Sequence, residues 1–272
     1  MRGTFLKDSR QALKESKRRR GVYLIPNLLT TGNLFSGLFS ILAVFNANYV
    51  TAAVAILVAL VFDMLDGKSA RWTNSTSQFG VEYDSLADLV SFGVAPGLLI
   101  YSWALSAHGM AGSAVMFAFV ACGALRLARF NVMATTSESR YFTGLPIPAA
   151  ASVIAALVIF DHHIVRMGAE IKPLLILVMT LGLAFLMVST VKYRSFKDLK
   201  FKRGYHFNYL VWAILGLMLV IAWPQLMLFV VFAGYAALGP VEKGVSLLAK
   251  AFGRRGVAGP ESSVLESKNL NG

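Results

Sequence analysis

The 272 residues are 56% hydrophobic and only 15% charged, with a mean hydropathy of +0.62, whereas globular domains carry about a quarter charged residues; the chain therefore reads as a polytopic membrane protein rather than a set of soluble domains. A net charge of +12 would suit nucleic acid if it formed a surface patch. The basic residues instead sit in short segments between apolar runs, which disfavours nucleic acid and favours membrane lipids with anionic headgroups.

In chain order, residues 1–20 form a basic juxtamembrane segment in which charge alternates with Phe5, Leu6, Ala12 and Leu13. That pattern fits an amphipathic helix on the inner leaflet or a mobile basic tail, and lacks the small-residue cleavage site of a signal peptide. A spanning helix takes about 20 mostly apolar residues. By that measure the all-α membrane domain, residues 21–243, contains about eight transmembrane helices, near 22–45, 49–70, 86–106, 112–130, 146–165, 173–192, 207–223 and 225–242. Residues 244–272 read as a polar, disordered tail. Cys122, the single cysteine, excludes an intrachain disulfide and a cysteine metal cluster; it reads as a small apolar helix residue.

Charge tests the span count independently. With eight spans and both termini cytoplasmic, only Arg166 and Lys172 of the 26 Lys and Arg fall in the outer loops. All the others lie on the inner side, as the positive-inside rule requires. The chemistry described next is then expected on the cytoplasmic face of the membrane.

The second span ends Asp63-Met64-Leu65-Asp66-Gly67-Lys68-Ser69-Ala70-Arg71, and the third is approached by Gly80-Val81-Glu82-Tyr83-Asp84-Ser85-Leu86-Ala87-Asp88. Acids this close to hydrocarbon are costly and point to function. On a helix Asp63 and Asp66 share a face with Gly67, Ala70 and Arg71 nearby, and Asp84 and Asp88 share another with Gly80, Ser91 and Ala95. Small residues let a neighbouring backbone or ligand approach. Lys68 and Arg71 are too few to balance these acids as salt bridges. Oxygen ligands without His or Cys suit Mg²⁺ or Mn²⁺ rather than zinc, and two such ions clamp a diphosphate well. The competing reading is an ion-coupled transporter, but the acids stop at one leaflet.

Written out, Asp63-x2-Asp66-Gly67-x2-Ala70-Arg71-x8-Gly80-x3-Asp84-x3-Asp88 resembles the signature of the CDP-alcohol phosphotransferase family at every fixed position. The resemblance implies transfer of a phosphatidyl group from a CDP-linked lipid to an alcohol, with release of CMP. It implies metal ligands at Asp63, Asp66 and Asp84, with Asp88 both near the metals and the general base. Gly67, Ala70 and Gly80 would make room for the cytidine part, Arg71 would hold phosphate, and relatives pair as homodimers.

Further stretches are similar to the bacterial phosphatidylserine synthase branch, implying CDP-diacylglycerol and L-serine as substrates: 23–33, 83–93, Leu125-Arg126-Leu127-Ala128-Arg129-Phe130-Asn131 and 141–146. Glycerol phosphate or an inositol phosphate is the alternative acceptor. Serine brings a carboxylate, for which a guanidinium is the natural clamp. Arg126, Arg129 and Asn131 at the inner end of the fourth span are the candidates, although both Arg residues also fit as positive-inside anchors. Asn27, Thr30 and Asn33 put polar groups on one face of the first span, where they would touch the nucleotide or pack against helices. His162 and His163 fall on the opposite side and read as interfacial. His206 and Asn208 lie on the inner side with no spacing to assign them.

Overall fold

The computed structural model describes residues 25–72, 77–134, 142–165, 172–193, 218–219 and 221–255. The basic segment 1–20, the connections carrying Arg140 and Arg166, and both His206 and Asn208 lie outside the described residues.

The architecture is all-α. Helix α1 spans Ile25–Phe45, with Pro26 in its first turn, where a missing N–H costs nothing. A tight turn at Asn46 and Ala47 leads to Asn48, whose side chain accepts from Thr51 N at 3.3 Å and caps α2, Tyr49–Trp72. Ser77 caps α3, Gln78–Asp88, by accepting from Gly80 N at 3.0 Å. A π turn, Leu89–Val94, joins α3 to α4, Ala95–Trp103. Pro96 explains the wide turn: it has no N–H for the Phe92 carbonyl and its ring crowds that oxygen. Widening lets Ala95 N reach back to Val90 O instead. Helix α5, Met110–Ala134, follows a short 3-10 turn at Leu105–His108. Then come α6, Ile147–Phe160, which ends in a second π turn at Asp161–Val165, and α7, Lys172–Val188. Pro224–Arg255 forms α8. The connections flanking α6 and α7 meet in a two-residue antiparallel pairing, Phe142–Thr143 (β1) with Lys192–Tyr193 (β2). Gly144 beside it has φ +84° and packs on the Met187 carbonyl, so a side chain there would be strained and obstructed.

Among the described residues six helical stretches are long and apolar enough to cross a membrane: Ile25–Phe45, Tyr49–Trp72, Gln78–Trp103, Leu105–Met133, Ile147–Val165 and Pro224–Val245. Each falls on an expected span, and the shorter apolar α7 falls on another. The expected span 207–223 lies outside the described residues except at its last positions. Two expectations shift. The third span begins at Gln78 rather than near 86, because the Ser77 cap starts the helix before the acids. Helix α8 runs on to Arg255, past residue 243 where the membrane domain was expected to end; Leu247, Leu248, Ala249 and Ala251 are good helix formers.

The core is centred on α6, buried along nearly its whole length and packed against α2, α7 and α8. Its Ala150, Ala151, Ser152, Ala155 and Ala156 allow close helix approach, and Phe160 stacks on Phe229 of α8 at 5.1 Å. Phe35, Phe45, Phe117, Phe185 and Val231 point outward from the bundle, as lipid-facing side chains do. Helix α1 crosses the first π turn so closely that a Cβ on Gly37 would lie 2.7 Å from Ser91 Cα. That crossing sets α1 against the acids of α3.

Candidate active site

The acids of α2 and α3 converge at one end of the bundle. Carboxylate oxygens of Asp63, Asp66 and Asp84 lie within 4.8 Å of one another. Asp88, one turn deeper on α3, is buried and within electrostatic reach of all three. Among the described residues no Lys or Arg forms an ion pair with any of these acids. Arg71, the nearest candidate in sequence, folds back so that its Nε donates to Gly67 O at 2.8 Å, with the side chain exposed at the rim. Asp84 Oδ1 is buried without a hydrogen-bond partner. A tight, all-oxygen set with an orphaned carboxylate oxygen fits a hard divalent cation.

Helix α1 supplies the neutral side of the site. Thr30, 4% exposed, donates to Asp66 Oδ2 at 2.9 Å and also lies 3.1 Å from Pro26 O. Asn33, fully buried, donates from Nδ2 to Asp88 Oδ1 at 2.9 Å, and its carbonyl accepts from Ser91 Oγ at 2.9 Å. Thr31 bridges to Tyr83, with 3.0 Å between the hydroxyls.

An open pocket of about 90 Å³ lies beside the acids, lined by Asn27, Thr30, Asp66, Gly67, Ala70, Gly80 and Asp84, with Pro26, Ser77 and Val81 completing the wall. A Cβ on Gly67 would meet no protein atom within 4 Å. The protein's own packing therefore does not require glycine there; the space is open for a ligand. Of the residues expected around a nucleotide, Asn27, Thr30, Gly67, Ala70 and Gly80 line this pocket. Arg71 stays at its rim, and Asn33 is engaged with Asp88 instead.

Arg126, Arg129 and Asn131 separate. Arg126 on α5 turns inward, with Nε buried and unpartnered and the charge within reach of Asp88 and of Tyr235 on α8. Arg129 is exposed. Asn131 donates to Ser85 Oγ at 3.0 Å and to Glu82 Oε2 at 3.5 Å, fastening α5 to the outer face of α3. His162 and His163 lie near the far ends of the helices, where His162 joins Ala47, Asn48, Tyr49 and Trp103 around a second cavity.

Sequence reasoning missed Ser77, Tyr83 and Tyr235. Ser77 carried a usable signal, a serine just ahead of a helical pattern; the partners of Tyr83 and Tyr235 come from other helices and had none.

Comparison with known proteins bears on what such a site does. A CDP-diacylglycerol–serine O-phosphatidyltransferase of Helicobacter pylori is 43% identical over 181 residues, covering 66% of this chain and 75% of the relative. One of Bacillus subtilis is 37% identical over 173 residues, covering 64% of this chain and 91% of the relative. An archaetidylserine synthase of Methanothermobacter thermautotrophicus is 38% identical over 171 residues, covering 62% and 69%. Residues 23–191, which hold the acids, the pocket and Arg126, match the CDP-alcohol phosphatidyltransferase family. With its acids and pocket in that stretch, the chain belongs to the CDP-alcohol phosphatidyltransferase family.

Proposed function

We propose that this protein transfers the phosphatidyl group of CDP-diacylglycerol to L-serine, giving phosphatidylserine and CMP. The observation that carries the reading is the cluster of Asp63, Asp66 and Asp84, within 4.8 Å and without a basic counterion among the described residues, beside a pocket walled by Gly67, Ala70 and Gly80. Family membership supports the reaction class, and the names of the similar proteins support serine as acceptor.

In this reading Asp63, Asp66, Asp84 and Asp88 hold two Mg²⁺ or Mn²⁺ ions, which when bound neutralise the acids and stabilise charge on the diphosphate. Asn27, Thr30, Gly67, Ala70 and Gly80 surround the cytidine part, and Arg71 swings from the rim to a phosphate. Asp88 accepts the proton of the serine hydroxyl. The serine oxygen bonds to the phosphatidyl phosphorus, the bond from that phosphorus to the CMP oxygen breaks, and CMP departs with the electron pair. Arg126 binds the serine carboxylate, while Arg129 stays at the surface and Asn131 fastens α5 to α3. Serine enters from the cytoplasm in an eight-span, homodimeric protein of the bacterial inner membrane; among the described residues, Lys68, Arg71, Arg126 and Arg129 on the helix ends that carry the acids support that orientation.

The test is CMP release by purified protein given CDP-diacylglycerol and Mg²⁺ or Mn²⁺, with serine, glycerol 3-phosphate or inositol phosphate supplied separately. Release that requires serine and metal supports the reading. Release only with a phosphorylated alcohol overturns the serine assignment and leaves the family membership standing.

A further inference from the structure

Asn33 was expected to touch the nucleotide, yet it does not line the pocket and holds Asp88 instead. Its amide is used on one side only. Nδ2 donates to Asp88 Oδ1 at 2.9 Å, while Oδ1 is buried with no partner. The orientation is dictated, since turning the amide over would set its oxygen against the carboxylate. A buried, unsatisfied acceptor costs about 1–3 kcal/mol, and few persist in folded proteins without a reason. On α5, Arg126 Nε is a buried donor with no partner, and the Arg126 charge is in reach of Asp88. Asp88 itself is 8% exposed, whereas Asn33 is fully buried.

An unsatisfied acceptor thus belongs to the side chain that holds the base, and an unsatisfied cationic donor lies within electrostatic reach of the same carboxylate. An amino acid with a side-chain hydroxyl presents the complementary set: an ammonium with N–H donors, a hydroxyl proton and a carboxylate. We infer that Asn33 reads the ammonium of the acceptor through Oδ1 while its Nδ2 holds Asp88 toward the acceptor hydroxyl, so that one side chain couples recognition of an amino alcohol to placement of the base. The inference rests on the serine reading and deepens it: α1 serves the acceptor at Asn33 and the nucleotide one to two turns earlier, at Thr30 and Asn27.

The experiment compares L-serine with 3-hydroxypropionate, which keeps the hydroxyl and carboxylate and lacks the ammonium. Both are assayed by CMP release with wild-type protein, Asn33→Leu and Asn33→Ser. Wild type prefers serine by at least about 100-fold in kcat/KM, since a site built to bond a polar group rejects the analogue lacking it. In Asn33→Leu both rates fall, because Asp88 loses its donor, but the preference shrinks to within about tenfold. Asn33→Ser, with a small hydroxyl that both donates and accepts, recovers part of the preference. The KM for CDP-diacylglycerol stays within about twofold in both variants, which also reports correct folding, because uniform substrate binding is untouched.

Equal losses for the two acceptors, with the preference kept, would mean that Asn33 only orients Asp88 and would overturn the inference. So would a raised KM for CDP-diacylglycerol with the serine preference intact, which would return Asn33 to the nucleotide. A wild-type protein that ignores serine fails before any variant is compared, and removes the serine reading and this inference together.

Discussion

Acids are held at both ends of this helix bundle, under opposite conditions. At the end where α6 opens into its π turn, Asp161 lies 2.9 Å from Lys172 Nζ, and the same ammonium sits 3.9 Å above the Trp103 ring. At the other end Asp63, Asp66, Asp84 and Asp88 have no Lys or Arg in ion-pair contact among the described residues. Asp161 carries its own counterion, itself seated over an indole ring, so the burial of this acid is compensated within the chain. The acid cluster is left with like charges in proximity, which proteins tolerate where a ligand supplies the missing charge. A single carboxylate at a helix end is therefore weak evidence of function; the absence of a counterion is what separates the two ends.

That difference is broken most severely at the cluster. Asp88→Asn removes the proton acceptor and should lower kcat by about 1,000-fold, within the usual range for a positioned base. Asp84→Asn should cost a similar amount through the metal, because electrostatic stabilisation of the leaving group is a term of about 100–1,000-fold or more. Folding should respond the other way: without divalent ions, Asp84→Asn relieves repulsion, so its thermal midpoint in detergent should match or exceed wild type. Chelation should abolish turnover, and Mg²⁺ or Mn²⁺ should restore it. A variant that lost midpoint and activity together would show that Asp84 is structural, as Asp161 is.

Gly67 sharpens the contrast at intermediate size. Since a Cβ there meets no protein atom within 4 Å, Gly67→Ala should raise stability by about 0.5–1 kcal/mol through helix propensity. The same methyl group would occupy pocket space, and the KM for CDP-diacylglycerol should rise about tenfold, as expected when contact with a substrate group is disturbed by a kcal/mol or two. Stability and substrate affinity moving in opposite directions would mark the space as built for a ligand. A smaller effect is expected for Thr30→Val, which deletes the donor to Asp66 but keeps the shape. A drop in kcat/KM of about fivefold corresponds to one ordinary hydrogen bond.

Much of this site was legible in the sequence because it depends on periodicity. Asp63, Asp66, Gly67 and Ala70 share a face, as do Gly80, Asp84 and Asp88, and the pocket and cluster are those faces brought together. What was illegible depends on how one helix meets another. Asn33 lies three residues beyond Thr30 on the same side of α1, yet Thr30 lines the pocket and Asn33 reaches Asp88. That division follows from the Gly37–Ser91 crossing and from the π turn set by Pro96, neither of which is a periodic signal. Arg126 and Arg129 likewise share a helix face by spacing, but neighbouring helices cover only the first. Spacing places residues on a face; it does not say how far the neighbour extends along it.

The smallest expected effect on catalysis lies at the far end. Asp161→Asn leaves Lys172 partly buried without its carboxylate, though still stacked on Trp103. Removing one partner of a buried pair is destabilising by up to about 3–5 kcal/mol. Lys172 keeps 19% of its side-chain surface exposed, so water and the indole face recover part of that, and a loss of about 2 kcal/mol is the reasonable expectation. Thermal unfolding in detergent should fall by several degrees, while kcat and both KM values of the surviving protein should stay within about twofold, as they do when a mutation touches no transition-state contact. Asp161→Asn combined with Lys172→Met should recover part of the lost stability, because it removes the uncompensated charge. If turnover fell while stability held, the far cavity around Tyr49, Trp103 and His162 would have to be coupled to the acid cluster, and the separation of the bundle into a structural end and a chemical end would fail.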